Sequence, residues 1–352
     1  MNWGWLRKKG AITLAPFFLF FLPTISHAVT CLYEEAPLRL YNHCTVHSLD
    51  GAILSASQYE LITDRLGEEG VGINEDATFS ERFFNDSSLG FSVIYDRNLN
   101  GGNPDKPLVI SGMTFVGDDE LYRKSGYAGY ASGYFKSKFF FGNERYLEAY
   151  LNYSAQSSIS GGILKTSSLY SICSKNHISR SIYADLCLSQ SSLKSDISDS
   201  GISDINLSIS KIISYDDSNH LMLGGNVSSS KYEDYEQGAF KLYLSSIGEY
   251  GNLNLSYKFY DSPDVNFLTN KKTLSSAYTN LIYGRPFTLF YSKNFSDGLE
   301  IINEDIEIKT TIFGISTYLT KELKITISRV NQDSSNYYFS DDYNNMSLTY
   351  SF

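Results

Sequence analysis

Side chains able to do covalent or metal chemistry are few in this 352-residue chain. Beyond residue 28 it holds four histidines (His43, His47, His177, His220), four cysteines (Cys31, Cys44, Cys173, Cys187) and many serines. A hydrolase needs a histidine held between an acid and a nucleophile or water, and no such spacing is recognisable. His177 falls in a turn-like stretch, Lys175 to Ile178, which reads as a solvated turn. His220 opens an alternating segment whose polar phase also carries Asn226 and Ser228. Cys44 and His47 have the Cys-x-x-His spacing of a zinc half-site, but no second half matches it. The sequence therefore assigns no catalytic residue, no metal site and no cofactor.

Disulfides are the remaining cysteine chemistry. Cys31 and Cys44 are close enough in sequence for a local bond. For Cys173 and Cys187 the answer depends on where a hairpin turns. A turn at His177 sets Cys173 opposite Ser181 and leaves Cys187 about 20 Å away. A turn nearer Arg180 lets the two bond, which an oxidising compartment favours.

Compartment follows from the first 28 residues. Arg7, Lys8 and Lys9 precede an apolar stretch from Ala11 to Pro23, and Ser26-His27-Ala28 supplies small residues for cleavage, the signature of a secretory leader. Removing those three cations leaves 26 Lys and Arg against 39 Asp and Glu, a net charge of −13 where the whole chain has 29 and −10. Nucleic acid is a poor partner for such a surface.

Composition points to alternation. Aromatics reach 15%, charged residues only 19%, and the mean hydropathy is −0.22. From Ser88 onward, segments of about ten residues alternate apolar with polar or small, as period-two strands do. Leu253, Leu255, Tyr257 and Phe259 oppose Asn252, Asn254, Ser256 and Lys258. Fourteen such segments fall near 88–97, 126–140, 145–156, 164–174, 179–190, 204–215, 219–230, 238–248, 252–261, 274–284, 286–295, 306–319, 322–332 and 344–352. Tight connections alternate with longer ones (98–125, 157–163, 191–203, 231–237, 262–273, 296–305, 333–343). An even strand count with that asymmetry predicts an all-β fold, a transmembrane antiparallel up-and-down barrel over 88–352. Both termini are then periplasmic.

That fold gives the charges their place. Lys136, Lys138, Glu148, Asp185, Lys241, Lys258 and Lys324 lie on the polar phase and are expected to line the lumen, since an outward Lys at mid-depth would cost about 2–4 kcal/mol. Carboxylates cluster in the longer connections: Asp118 to Glu120, Glu233 to Glu236, Asp297 to Asp305 and Asp333 to Asp342. There they are expected to solubilise the surface or share divalent cations with lipopolysaccharide phosphates. Met346, Leu348, Tyr350 and terminal Phe352 alternate in the manner of a barrel-assembly signal, so the expected partners are outer-membrane lipid, lipopolysaccharide and the barrel assembly machinery. Residues 29–87 do not alternate. They read as a short periplasmic or plug segment, with a helix expected over Gly51 to Leu66 between Asp50 and Gly67.

One stretch carries a family likeness. Val93-Ile94-Tyr95-Asp96-Arg97-Asn98-Leu99-Asn100-Gly101-Gly102, then Leu121 to Gly126, then the ending Leu348-Thr349-Tyr350-Ser351-Phe352, resemble the barrel domain of the surface lipoprotein assembly modifiers. The resemblance covers roughly residues 88–352. It implies a fourteen-stranded barrel serving as a transport or export conduit, with a lipoprotein as possible substrate. The family's periplasmic tetratricopeptide domain has no counterpart, because 29–87 cannot hold repeats of about 34 residues in any number.

Overall fold

The computed structural model describes residues 37–48, short pieces between 63 and 79, and all but scattered connection residues of 81–351. The leader, Cys31, His47's side chain, most of the helix expected at 51–66, and Phe352 lie outside the described residues.

Alternation produces the barrel. The strands are β1 (Phe83–Asp96), the short pair β2 (Leu108–Ile110) and β3 (Met113–Phe115), then β4 (Gly126–Gly142), β5 (Arg145–Ser158), β6 (Leu164–Ser179), β7 (Ile182–Lys194), β8 (Asp199–Ser214), β9 (His220–Lys231), β10 (Glu236–Gly248), β11 (Gly251–Tyr260), β12 (Thr269–Ile282), β13 (Arg285–Ile301), β14 (Glu304–Tyr318), β15 (Leu323–Ser334) and β16 (Asp341–Ser351). Leaving out β2 and β3, fourteen antiparallel strands follow one another around a closed ring, and β1 pairs with both β4 and β16. Closure satisfies the backbone donors of both edge strands, leaving no open edge.

Each strand shows one face outward. Leu89, Phe91 and Val93 of β1 are about half exposed, as are Ile205, Leu207 and Ile209 of β8 and Met346 and Tyr350 of β16. The intervening residues point into the lumen, where serine, asparagine and threonine predominate. Lys136, Lys138, Glu148, Asp185, Lys241, Lys258 and Lys324 share that inward phase. Several inward aromatics cover inward glycines: Tyr243 lies opposite Gly224 and Phe290 opposite Gly314, each ring filling the space a Cβ would need.

Several boundaries differ from the sequence reading. β1 begins at Phe83, five residues earlier than expected. The connection expected at 191–203 shrinks to 195–198, and that at 296–305 shrinks to 302–303, because the ladders of β7 with β8 and β13 with β14 continue past it. Asp297, Glu300, Glu304 and Asp305 are strand residues as a result. Leu299, Ile301, Ile306 and Ile308 keep the alternation going between the acids, a signal the density of charge concealed. His177 belongs to β6, and the hairpin turns between Ser179 and Ile182, with Ser181 at φ 67°. Cys173 thereby faces Cys187 directly, and the two are disulfide-bonded.

Gly314 makes the clearest packing test. A Cβ there would lie 2.3 Å from Phe290 Cζ and 2.7 Å from the Ile327 carbonyl oxygen. Overpacking of this kind costs about 1–3 kcal/mol. Gly314→Ala is expected to lower the urea midpoint of the purified barrel, followed by its heat-modifiable gel mobility, and Gly314→Val to lower it further. An unchanged midpoint for both would refute the packing account.

Candidate functional site: the lumen-bound segment

One helix lies inside the ring. α1 (Leu38–Ser48) starts after Pro37, whose carbonyl accepts the Tyr41 amide at 3.0 Å, and Thr45 Oγ1 donates back to the Tyr41 carbonyl at 2.8 Å. Leu40, Tyr41 and Cys44 form its apolar stripe. They pack against inward-facing Tyr183 of β7, Ile212 of β8, Met222 of β9 and Ile247 of β10, with Leu281 of β12 at the margin. All of these wall residues lie near tight turns, so α1 sits at the tight-turn end. This helix is eleven residues long and precedes the span where the sequence suggested one. Its apolar spacing is short enough to pass for noise.

Charge fixes the helix and the following turn to the wall. Arg39 donates to both carboxylate oxygens of Asp185 at 2.9 Å, lies 3.5 Å from Glu69, and stacks its guanidinium 4.4 Å above the Tyr183 ring. Glu69 accepts from Lys138 at 3.1 Å and from the Tyr146 hydroxyl at 2.7 Å. Lys138 is 1% exposed and also donates to the Glu68 carbonyl at 2.5 Å. Lys175 lies 3.5 Å from Asp185, and Glu148 lies 3.8 Å from Lys138. The result is a chain of six groups, Lys175, Asp185, Arg39, Glu69, Lys138 and Glu148, whose signs alternate and cancel. Burial works against the charge on Arg39, yet Asp185 and Glu69 hold its guanidinium above even its ordinary pKa.

The wall extends the network. Glu144, in the tight turn after β4, accepts the Tyr183 hydroxyl at 3.1 Å and pairs with His177 Nδ1 at 3.0 Å, and the His177 ring stacks on Tyr183. His177 is thus a partnered wall residue, where the sequence suggested a solvated turn. The disulfide half Cys173 stands directly across from Glu148. Cys44 is buried and disulfide-bonded. The expected pairing with Cys31 lies outside the described residues.

Of the expected lumen residues, Lys138, Glu148 and Asp185 converge on this site. Lys136 lies elsewhere, 3.1 Å from Asp86, whose carboxylate also takes the Tyr134 hydroxyl at 2.9 Å. Lys241 and Lys258 face one another across β10 and β11, and Lys324 lies over the Tyr318 ring. Arg39, Glu69, Tyr146 and Tyr183 escaped the sequence reading, since nothing local ties residues 37–72 to strands a hundred residues on.

A second polar contact holds α1. The Ser214 hydroxyl sits between His43 Nε2 and His220 Nδ1, 2.9 Å from each, with the two rings edge to face at 5.3 Å. The arrangement ties the helix to β8 and β9. Three of the carboxylates expected to cluster for cations meet the chain's own bases: Asp341 meets Arg123 and Arg97, Asp342 meets Arg329, and Asp297 meets Lys271. No group of three metal-binding side chains occurs among the described residues. The stretch carrying the family likeness has a structural role. Asn98 caps toward Asp96 and Gly102, while Asn100 bonds the Tyr122 carbonyl and the Lys124 amide, tying the start of the 97–125 connection to its end. A Cβ on Gly102 would meet the Tyr122 carbonyl group at 2.7 Å.

No family model and no curated protein matches the chain. Solved barrels do. Salmonella typhi OmpF in complex with daunomycin aligns with TM-score 0.46 at 10% identity, over 78% of this chain and 99% of that one. Pseudomonas aeruginosa OccK9 (OpdG) aligns with 0.41 at 10% over 76% and 98%, and Acinetobacter baumannii OccAB3 with 0.41 at 8% over 76% and 99%. At these scores the likenesses carry no argument, and the barrel stands on its own strand ladder.

The Ser214 hydroxyl gives α1 a checkable anchor. Ser214→Ala removes the group that meets both His43 and His220, and losing one side of such a hydrogen bond costs about 1–3 kcal/mol. Amide hydrogen exchange across 38–48 should accelerate in that variant, and an unchanged exchange rate would discard the anchoring role.

Proposed function

We propose that the chain is an outer-membrane transport protein, a polar conduit whose tight-turn mouth is narrowed by α1 and the turn at 66–72. The outward apolar belt suits a bilayer, where only closed barrels and helices satisfy every backbone group. The short turns and the chain termini then belong on the periplasmic side and the 97–125 connection outside, as such barrels are ordinarily oriented. The polar inner faces favour passage of a hydrophilic solute. The carrying observation is the docking of α1 against β7 to β10 and of the turn at 66–72 against Lys138 on β4, latched by the alternating charge chain.

A latch of this kind is breakable one partner at a time. Removing one member of a buried ion pair costs about 3–5 kcal/mol, and about 3 kcal/mol is roughly a hundredfold in an equilibrium constant. In planar bilayers, wild-type protein is expected to show rare or small openings. Lys138→Ala, which takes the lysine from Glu69 and Glu148, and Arg39→Ala, which takes the bidentate partner from Asp185, should raise open probability by one to two orders of magnitude. Deletion of 37–72 should give a persistently open pore. Silence from the deletion variant, with heat-modifiable mobility intact, would end the conduit reading.

Delivery of a lipoprotein is the narrower reading implied by the resemblance. It is tested separately, by deleting the gene and profiling surface lipoproteins for a specific loss.

A further inference from the structure

The end of the barrel opposite α1 carries a cluster of a different kind, on the outer face. Lys272 of β12 and Lys309 of β14 stand directly across from Phe295 of β13, one on each side, and Lys293 precedes Phe295 by two residues on the same face. Their ammonium nitrogens lie 4.6, 5.9 and 5.2 Å from the Phe295 ring centroid, for Lys272, Lys309 and Lys293 respectively. Among the described residues no other ring gathers three lysines. None of the three has a carboxylate within ion-pair distance there. Of the inward-facing lysines, Lys136, Lys138, Lys165 and Lys175 each have one, whereas Lys241 and Lys258 face each other.

Three unpaired ammonium groups on an outward face have one inexpensive location. At mid-depth each would be costly, whereas at the membrane interface the penalty almost vanishes and lysine stems lie along apolar surface with the charge in the headgroup layer. Apolar outward residues flank the cluster on the mid-barrel side, Leu274 beside Lys293 and Phe313 one outward step from Thr311. Toward the rim stand the acids Asp305, Glu307 and Asp333, the last directly across from Lys309. The cluster thus marks the boundary between belt and rim. Carboxylates on the rim side exclude a second acidic partner from above. An anion arriving from the lipid side meets Lys272, Lys293 and the Phe295 ring before the rim carboxylates beyond Lys309.

We propose that Lys272, Lys293, Lys309 and Phe295 form a binding site for the phosphorylated sugar headgroup of a lipid A-type glycolipid in the outer leaflet. The lysines neutralise its phosphate, and Phe295 supports the adjoining sugar and acyl chain. A phosphate monoester carries more charge than a phosphodiester and has three acceptor oxygens for three ammonium donors. Attraction of an anionic lipid surface to clustered lysines is the same physics. The proposal rests on the orientation given above, which places this end outside.

The test uses full-length protein, delipidated in detergent and returned to nanodiscs of phosphatidylcholine containing bisphosphorylated lipid A, dephosphorylated lipid A or phosphatidylglycerol. Co-purified lipid is counted by native mass spectrometry. Wild type should retain bisphosphorylated lipid A at least tenfold over the dephosphorylated form and over phosphatidylglycerol. Lys272→Ala, Lys293→Ala and Lys309→Ala combined should abolish that preference. The corresponding triple arginine variant should keep it, and Lys211→Ala at the opposite end should leave it unchanged. Heat-modifiable mobility confirms that each variant is folded. Equal retention by wild type and the alanine triple would overturn the site, and equal retention of phosphatidylglycerol would overturn the choice of glycolipid. A protease site inserted at 302–303 reads the orientation independently. Cleavage in intact cells supports an outer-leaflet site, and cleavage only after permeabilisation removes it.

Discussion

A strand whose two faces differ in polarity can bury neither against water alone, and closing fourteen of them into a ring resolves the conflict for all at once. Leu207 faces outward and Asn206 inward only because β8 has a hydrogen-bonded neighbour on each side. Without the β1 to β16 pairing, which runs from Gly90 opposite Ser351 to Ile94 opposite Ser347, both edges would be open. Inside and outside exist as separate environments only after that closure. Every later feature, the lumen-bound helix included, depends on it.

Within the lumen, charge organises what apolar contact cannot. The stripe on α1 is short, and Leu40, Tyr41 and Cys44 could pack against many inward faces of a large barrel. The chain from Lys175 to Glu148 accepts one placement, because its four inner members each meet two neighbours of opposite sign and a shift of one residue would strand several. The six groups together carry no net charge, so the pairing leaves no excess of either sign where the segment meets the wall. Buried ion pairs add little net stability relative to apolar packing. Such a latch therefore specifies position more than it adds binding strength.

Period two made the barrel legible from sequence, since each of the fourteen strands carries it over eight or more residues. Lumen placement of Lys138, Glu148 and Asp185 followed from the same phase. What stayed hidden were contacts between segments far apart in sequence: Arg39 reaches Asp185 across 146 residues and Glu69 reaches Lys138 across 69. No local pattern encodes such a pairing. Acid-rich stretches were misread for another reason. Near the rim Asp305 and Glu307 take the outward phase while Ile306 and Ile308 are buried, so the ladder continues in a stretch whose composition resembles a loop.

Taken around the whole molecule, the disposition of cations separates the two ends. At the tight-turn end Arg39, Lys138 and Lys175 are consumed by carboxylates of the wall and the helix, so the site is electrically closed. At the other end Lys272, Lys293 and Lys309 face outward with their charge uncommitted, while the acids of the rim are partly met by Arg123, Arg329 and Lys271. A barrel symmetric in strand number is thus asymmetric in electrostatics along its axis. Internal pairing holds a segment of the chain itself, and unpaired charge is left where a ligand of opposite sign can reach it.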